Sequence, residues 1–459
     1  MTALVVFGAF SALLVGVLKF NKLWIGALVG SLILVLRSFL EDGELHLIQP
    51  LSNGLIITLE LLTLIFGAYF FYNTLKRQNH FDSFVNQLER LPQRLDIVLL
   101  FALFFGSFLE GIAGFGIPAM LIAPMLLSMG FKPLTAIVIP LIANTVPVLF
   151  GALGTPIVLG LNAGTNSELL LYVLIFNILP ILLLPLILAL TYEKTEAEQL
   201  DWKRTWKKLM MTSFIYAVPF FSTGLFSVEL PSVAAGLIGM IVFSLLFLPQ
   251  QQRPKLELWR STFWPYLLFI ALLLVARFFL RDLTFSTFAS AKNVSLYQPG
   301  LVFLVAALTY NWIKKQRIST IFSTGKSTLT ALQKTAISIV SLVCFTQIVQ
   351  PHLMQAIIPL LGLVEPNFLA PVLGIIGSFT TGSATMSNLL FSSIIPESAI
   401  FLALLHSGSA LGNAISLQNI IMVNAVVSGQ HSMVKVIKNS GLWVLIYWSC
   451  IMVILLILR

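Results

Sequence analysis

The stretch Phe108-Leu-Glu-Gly-Ile-Ala-Gly-Phe-Gly-Ile-Pro118 sets a carboxylate, three glycines and a proline inside an otherwise apolar run. Glu110 follows Arg94 and Asp96 by about fifteen residues, which puts it near mid-bilayer depth if the run enters a membrane there. An acid at that depth costs ~3 kcal/mol on insertion scales unless it is paired, hydrated or protonated. Gly111, Gly114, Gly116 and Pro118 interrupt a regular helix, and broken backbone at membrane depth survives only in a protein interior or beside water. The pattern recurs at once in Ile142-Ala-Asn-Thr-Val-Pro147 and Gly151-Ala-Leu-Gly-Thr-Pro156, where Asn144, Thr145 and Thr155 lie beside further breakers, among them Pro147. Half-helices whose ends face a small ligand are built from such ingredients.

Composition sets the class. The 459 residues are 58% hydrophobic and 10% charged with a mean hydropathy of +0.96, which no soluble domain matches and a polytopic membrane protein does. The net charge of +9 does not call for nucleic acid, because the basic residues sit in short loops between apolar runs. Cys344 and Cys450 lie within apolar runs and read as small buried hydrophobes. Residues 1–18 lack a basic leader and a small-residue cleavage site, so they read as a retained first span.

Apolar runs at 2–18, 22–40, 54–75, 168–191, 210–228, 232–249, 264–281, 298–313, 333–349 and 440–458 predict membrane helices. Two longer regions, 95–160 and 367–430, are interrupted. Basic residues gather in alternate loops (Lys76, Arg77, Arg90 and Arg94 in one; Lys203, Arg204, Lys207 and Lys208 in another), and the loops between them are acidic or nearly neutral. The asymmetry places the basic loops in the cytoplasm and both termini outside. Parity then makes 95–130 and 367–395 re-entrant hairpins, with 134–160 and 398–430 as broken crossings; two full crossings in place of each hairpin fit equally well. The expected fold is an all-α polytopic protein of about twelve transmembrane helices and two hairpins. Residues 1–191 form a first repeat, 192–263 carry two linking helices, and 264–459 form an inverted second repeat. Short amphipathic segments at 81–91 and 352–363 precede the hairpins.

The second-half counterpart of the opening motif is Gly377-Ser-Phe-Thr-Thr-Gly-Ser-Ala-Thr-Met-Ser-Asn388, with Gly382 as its break, followed by the polar stretch 405–418. Half-helix N-termini offer free N–H groups and partial positive charge, so with hydroxyls and amides they suit a small carboxylate. The competing explanation is that Gly, Ser and Thr merely let helices pack closely. Asn144, Thr145, Ser383, Thr385 and Asn388 are the substrate candidates. His406 is a further candidate, as a cation or proton relay. Glu110 is the leading proton-coupling residue, because a buried carboxyl takes and releases a proton as its hydration changes. Glu60, within the 54–75 run, is a second relay candidate. Arg37 and Arg277 lie at span ends where snorkelling explains them. Ser323-Thr-Gly-Lys-Ser-Thr328 imitates the end of a phosphate loop, but Thr320 stands where that loop needs glycine. No acid–histidine–cysteine cluster has metal-ligand spacing and no nucleophile–base pair stands out, so a carrier is expected, without enzyme activity, metal or cofactor.

At these residues the chain resembles the lactate permease family, which carries L-lactate and glycolate with protons. The match runs through Phe108–Pro118, Gly130-Phe-Lys-Pro-Leu134, Leu141-Ile-Ala-Asn-Thr-Val-Pro147, Phe150-Gly-Ala-Leu-Gly154 and Pro156-Ile157. In the second half it touches Gly377, Thr381-Gly-Ser383, Thr385, Ser387-Asn388, Leu390-Phe391, Ile415-Ser416 and Gln418. Two positions depart from the family pattern. Ala384 stands where Gly-Ser-Asp-Thr-Ser-Ser-Asn has its acid, and Asn413 where Gly-Lys-Met-Ile-Ser-Pro-Gln has its lysine. An acid and a base have gone together, leaving net site charge unchanged. The resemblance implies symport of a small monocarboxylate, such as a 2-hydroxy acid, with H⁺ across a bacterial inner membrane, and allows for a homodimer. The clustered amides and hydroxyls equally suit a Na⁺-coupled carrier of another organic anion, with a channel or a membrane-embedded enzyme as more distant alternatives.

Overall fold

The computed structural model describes the chain except residues 1, 21, 43–47, 79–93, 115, 163–165, 251–252, 254–255, 281–282, 287–292, 362–364, 428–432 and 459. The expected segment 81–91 and the end of 352–363 lie outside the described residues. The regular structure of the described chain is helical apart from one three-residue antiparallel ladder, β1 (Thr284–Ser286) with β2 (Asn293–Ser295), between the apolar runs 264–281 and 298–313. Five helices among the described residues are long and apolar enough to cross a membrane, six if a bent pair counts as one span, and nine shorter apolar helices accompany them. These helices expose large apolar side chains such as Leu55, Leu245, Leu274 and Leu445, as lipid-facing helices do.

Two compact units divide the chain, each drawn from both halves of the sequence. The first holds Met1–Arg90 and Pro254–His352. Its helices are α1 (Thr2–Leu18), α2 (Leu23–Asp42), α3 (Ile48–Arg77), then α11 (Leu256–Leu280), α12 (Pro299–Ile313) and most of α13 (Ile318–Leu361). α3 and α12 meet backbone to backbone, since a Cβ on Gly67 would stand 2.2 Å from the Gly300 carbonyl oxygen. Phe71, Phe269 and Phe303 fill the adjoining core, the last two stacked at 3.9 Å. α13 corrects a sequence expectation: the basic stretch 314–334, read as a loop, is mostly the first four turns of this 44-residue helix. The Ser323–Thr328 motif therefore lies within a helix, where its N–H groups serve the helix ladder.

The second unit holds Leu91–Arg253 and Leu353–Arg459. It begins with α4 (Arg94–Ile112), a single 19-residue run, longer than the half-depth arm expected, with a π-helical stretch at Leu99–Phe105. After a break come α5 (Ile117–Ser128) and α6 (Pro133–Ala143), then short turns at Pro147–Phe150, Ala152–Gly154 and Pro156–Gly160. α7 (Ser167–Phe176) and α8 (Ile178–Glu196) replace the expected single span 168–191. Asn177 separates them and donates to the carbonyl of Val173 and the hydroxyl of Ser407. α9 (Trp202–Gly224) and α10 (Pro231–Phe247), expected as linkers, belong to this unit, and α10 packs along α4 with Gly236 against Phe104 and Phe108. The second-half elements are α14 (Pro366–Thr381), α15 (Ala384–Phe391), α16 (Ala399–Gly412), α17 (Leu417–Val426) and α18 (Met433–Ile457).

α14 and α16 pack backbone against backbone. Cβ atoms on Gly374, Gly408 and Gly412 would stand 2.1, 2.0 and 2.4 Å from carbonyl oxygens of Leu405, Pro371 and Ile375. Small residues let backbones approach where no hydrophobic force acts between helices. One edge of the unit is tied by charge: Lys208 Nζ lies 2.8 Å from the buried Asp96 carboxylate, and Arg94 reaches Glu196 at 3.8 Å and the Gly130 carbonyl at 2.6 Å. Gly408→Ala is expected to destabilise the protein by about 1–3 kcal/mol, since Pro371 backbone cannot swing aside. Gly441→Ala, where nothing lies within 4 Å, is expected to leave thermal unfolding in detergent unchanged or raised.

Candidate functional site

Four interruptions of helix converge in the second unit: residues 113, 114 and 116 after α4, 151–155 after α6, 382–383 after α14 and 413–416 after α16. Their meeting is tight. A Cβ on Gly114 would stand 2.6 Å from Ala152 Cβ, and one on Gly151 would stand 2.6 Å from Glu110 Oε1. Gly116 and Gly382, each at φ +75°, turn the chain into α5 and out of α14, and both lie against α17, Gly116 beside Asn419 and Gly382 beside Gln418. Ala152 and Leu153 hold φ of 44° and 57° without being glycine, conformations that cost of order 1–3 kcal/mol each and persist only where the surroundings enforce them.

The convergence encloses a cavity of about 20 Å³, bordered by Glu110, Gly116, Ala152, Ser383, Thr385 and Asn413 together with Val148, Gly151, Pro156, Gly382 and Ala384. It has room for about one water. The Asn144 side chain lies beside the Glu110 carboxyl, and Glu110 Oε2 is buried without a protein partner. The N-terminus of α5 enters the lining through Gly116 and that of α15 through Ser383, Ala384 and Thr385, so two helix dipoles present their positive ends to it. Ser383 caps α15, accepting from the Met386 amide at 3.4 Å.

The structure places the sequence candidates in different settings. Glu110, Gly116, Gly382, Ser383 and Thr385 border the cavity, with Asn144 one contact behind. Gly111, Gly114, Pro118 and Pro147 shape the breaks around it: Gly111 faces Val233 of α10, Pro118 begins α5, and the Pro147 carbonyl accepts from Ser232 Oγ at 2.7 Å. Thr145 donates to the Ile142 carbonyl at 2.8 Å and lies beside Tyr447. Asn388 and His406 form a buried clasp outside the lining. Asn388 Nδ2 donates to the Pro156 carbonyl at 2.9 Å and to His406 Nδ1 at 2.9 Å, and His406 Nε2 donates to the Leu149 carbonyl at 2.8 Å. Because the Leu149 oxygen only accepts, the ring carries its proton on Nε2 and is fully engaged as neutral imidazole. Glu60 belongs to the first unit, where Gln298 Nε2 donates to its Oε1 at 3.4 Å.

Sequence reasoning did not single out Asn419, whose Nδ2 donates to Asn413 Oδ1 at 2.6 Å and to the Asn413 carbonyl at 3.2 Å. Asn419 Oδ1 and Gln418 Oε1 are buried without protein partners next to Gly116 and Gly382. Both departures from the family pattern, Ala384 and Asn413, border the one cavity that holds Glu110. No group of three or more potential metal ligands occurs among the described residues.

The family model for L-lactate permease matches residues 19–262 and 255–459. The chain belongs to the L-lactate permease family. It is 27% identical to an L-lactate permease of Streptococcus iniae over 81% of this chain and 85% of that protein. To an L-lactate permease of Bacillus subtilis it is 27% identical over 86% and 84%, and to a glycolate permease of Escherichia coli 26% identical over 79% and 78%. With its apolar helices, family membership makes the chain a multi-pass membrane transport protein for a small organic anion. Asn388→Ala would leave the Pro156 carbonyl and His406 Nδ1 without their donor, and is expected to cost about 2 kcal/mol in thermal unfolding.

Proposed function

We propose that the protein is a secondary transporter that imports a small monocarboxylate, of the L-lactate or glycolate type, with protons by alternating access. The observation that carries this reading is Glu110: a carboxyl with one oxygen buried and unpartnered, in a cavity faced by two helix N-termini. The dipoles of α5 and α15 and the hydroxyls of Ser383 and Thr385 take the substrate carboxylate. Glu110 takes the proton and so removes the repulsion between two anions in one site. A hydroxy acid of six non-hydrogen atoms needs more space than this cavity offers, so the four breaks separate to admit it and close to occlude it. The permeases of S. iniae, B. subtilis and E. coli support the substrate class by their names.

On this reading the fold is two inverted repeats, 1–191 and 264–459, of about twelve spans with hairpins at 95–130 and 367–395, in a bacterial inner membrane with basic loops cytoplasmic and both termini outside. The composition of the units supports it. The first three helices of each repeat make up the first unit, and the interrupted regions of each make up the second. Sodium coupling draws support from the unpartnered oxygens Gln418 Oε1 and Asn419 Oδ1, which are the ligand type that Na⁺ uses.

Purified protein in liposomes is expected to take up labelled L-lactate or glycolate under an inward pH gradient, without Na⁺, and to stop with a protonophore. Glu110→Gln is expected to abolish proton-driven accumulation; wild-type accumulation by this variant would remove Glu110 from the coupling step, and uptake that needs Na⁺ would favour the sodium reading. Ala384→Asp alone is expected to eliminate uptake, since a second carboxylate enters the cavity of Glu110 without a cation. Adding Asn413→Lys is expected to recover part of it, and a double variant no better than the single one would show that the two positions do not act as a charge pair.

A further inference from the structure

The first unit contains a second polar cavity, of about 440 Å³, where the C-termini of α3 and α12 meet the N-terminus of α13. Its walls include Thr74, Arg77, Gln78, Asn311, Thr320 and Thr324. No carboxylate is among its lining residues. Arg77 is held at the rim by one nitrogen alone: Nη1 reaches Ser323 Oγ at 2.5 Å, Thr324 Oγ1 at 3.0 Å and the Thr320 carbonyl at 3.4 Å. The other edge of the guanidinium, Nε and Nη2, makes no protein hydrogen bond among the described residues. Gln78 Nε2 donates to Asn311 Oδ1 at 3.4 Å, which steadies the opposite wall. Of the lining residues, Thr74 is 2% exposed and its hydroxyl has no protein partner. A buried hydroxyl without a partner is costly, and one that borders a polar cavity has its natural partner in the occupant. Lys76, Lys314, Lys315, Arg317 and Lys326 lie on the same helix ends and the turn between them, so the local charge is strongly positive.

We propose that this corner binds a phosphate oxyanion, with the free edge of Arg77 as its charged ligand and the Thr74 hydroxyl as its buried one. Arginine presents a planar fork that matches phosphate oxygens two at a time. The Ser323–Thr328 stretch, which imitates a phosphate loop in sequence, serves here through side chains: Ser323 and Thr324 orient the arginine. The volume exceeds that of a bare phosphate and lies at the basic end of a spanning helix. A lipid headgroup phosphodiester and a free phosphate share this chemistry.

The test uses the full chain in phosphatidylcholine nanodiscs, followed by thermal unfolding at fixed ionic strength. One arm adds phosphatidylglycerol to the nanodisc and the other adds inorganic phosphate against chloride. A rise in Tm is expected in at least one arm. Its half-maximal concentration should increase about tenfold in Arg77→Gln and about fivefold in Thr74→Val, the losses of a charged and a neutral hydrogen bond. Thr74→Val keeps side-chain shape and removes an unpartnered hydroxyl, so it should fold as well as wild type in phosphatidylcholine alone. A response to phosphatidylglycerol alone identifies a lipid headgroup, and a response to inorganic phosphate identifies a soluble anion. No response in either arm, or a response that both variants retain in full, overturns the proposal.

Discussion

Everything in the second unit depends on backbone carbonyls that have left their helices and must find donors away from water. In lipid, an unsatisfied carbonyl costs several kcal/mol, so breaks are tolerated only where the protein supplies partners. Here five of them are supplied by side chains, three from distant segments and two from close by in the chain. Ser232 serves Pro147, His406 serves Leu149, Thr155 serves Ala152, Asn388 serves Pro156 and Asn419 serves Asn413. Glycines at the crossings then let the breaks approach until their backbones nearly touch. The cavity beside Glu110 lies among these supported breaks, with the unpartnered oxygens of Glu110, Gln418 and Asn419 near it.

This accounting separates polar residues that hold the site from those that face it. Ser387, Ser407 and Ser409 have hydroxyls committed to carbonyls or to one another, as Asn388 and His406 are committed to the clasp. Close packing and lining of the cavity are therefore divided among neighbouring residues: Gly374, Gly408 and Ser387 pack, while Ser383 and Thr385, at the N-terminus of α15, border the cavity.

The breaks were legible in the sequence because glycine, proline and a lone acid stand out against apolar residues, and the site's main features follow from them. The roles of Asn388 and His406 were not legible. Their partners are carbonyls of a stretch more than two hundred positions away, and a carbonyl carries no mark in a residue's name. The strained Ala152 escaped notice because left-handed backbone is announced only by glycine. Lys326, within α13, was read as part of a loop, because charge in a stretch between apolar runs does not distinguish a loop from a helix leaving the bilayer. Asn413 drew attention only by resemblance, and Asn419, which fixes its orientation, had no signal at all.

The clasp between His406 and Leu149 spans 257 positions of sequence. A ribosome adds about 5–20 residues per second, so the carbonyls of Leu149 and Pro156 wait on the order of ten to fifty seconds for their donors to be made. Through that interval the first-half breaks and Glu110 sit in or beside the membrane without the helices that complete them. The order of synthesis thus leaves a half-built site that must be shielded by water, lipid headgroups or the insertion machinery, and truncation after the first half would strand it there.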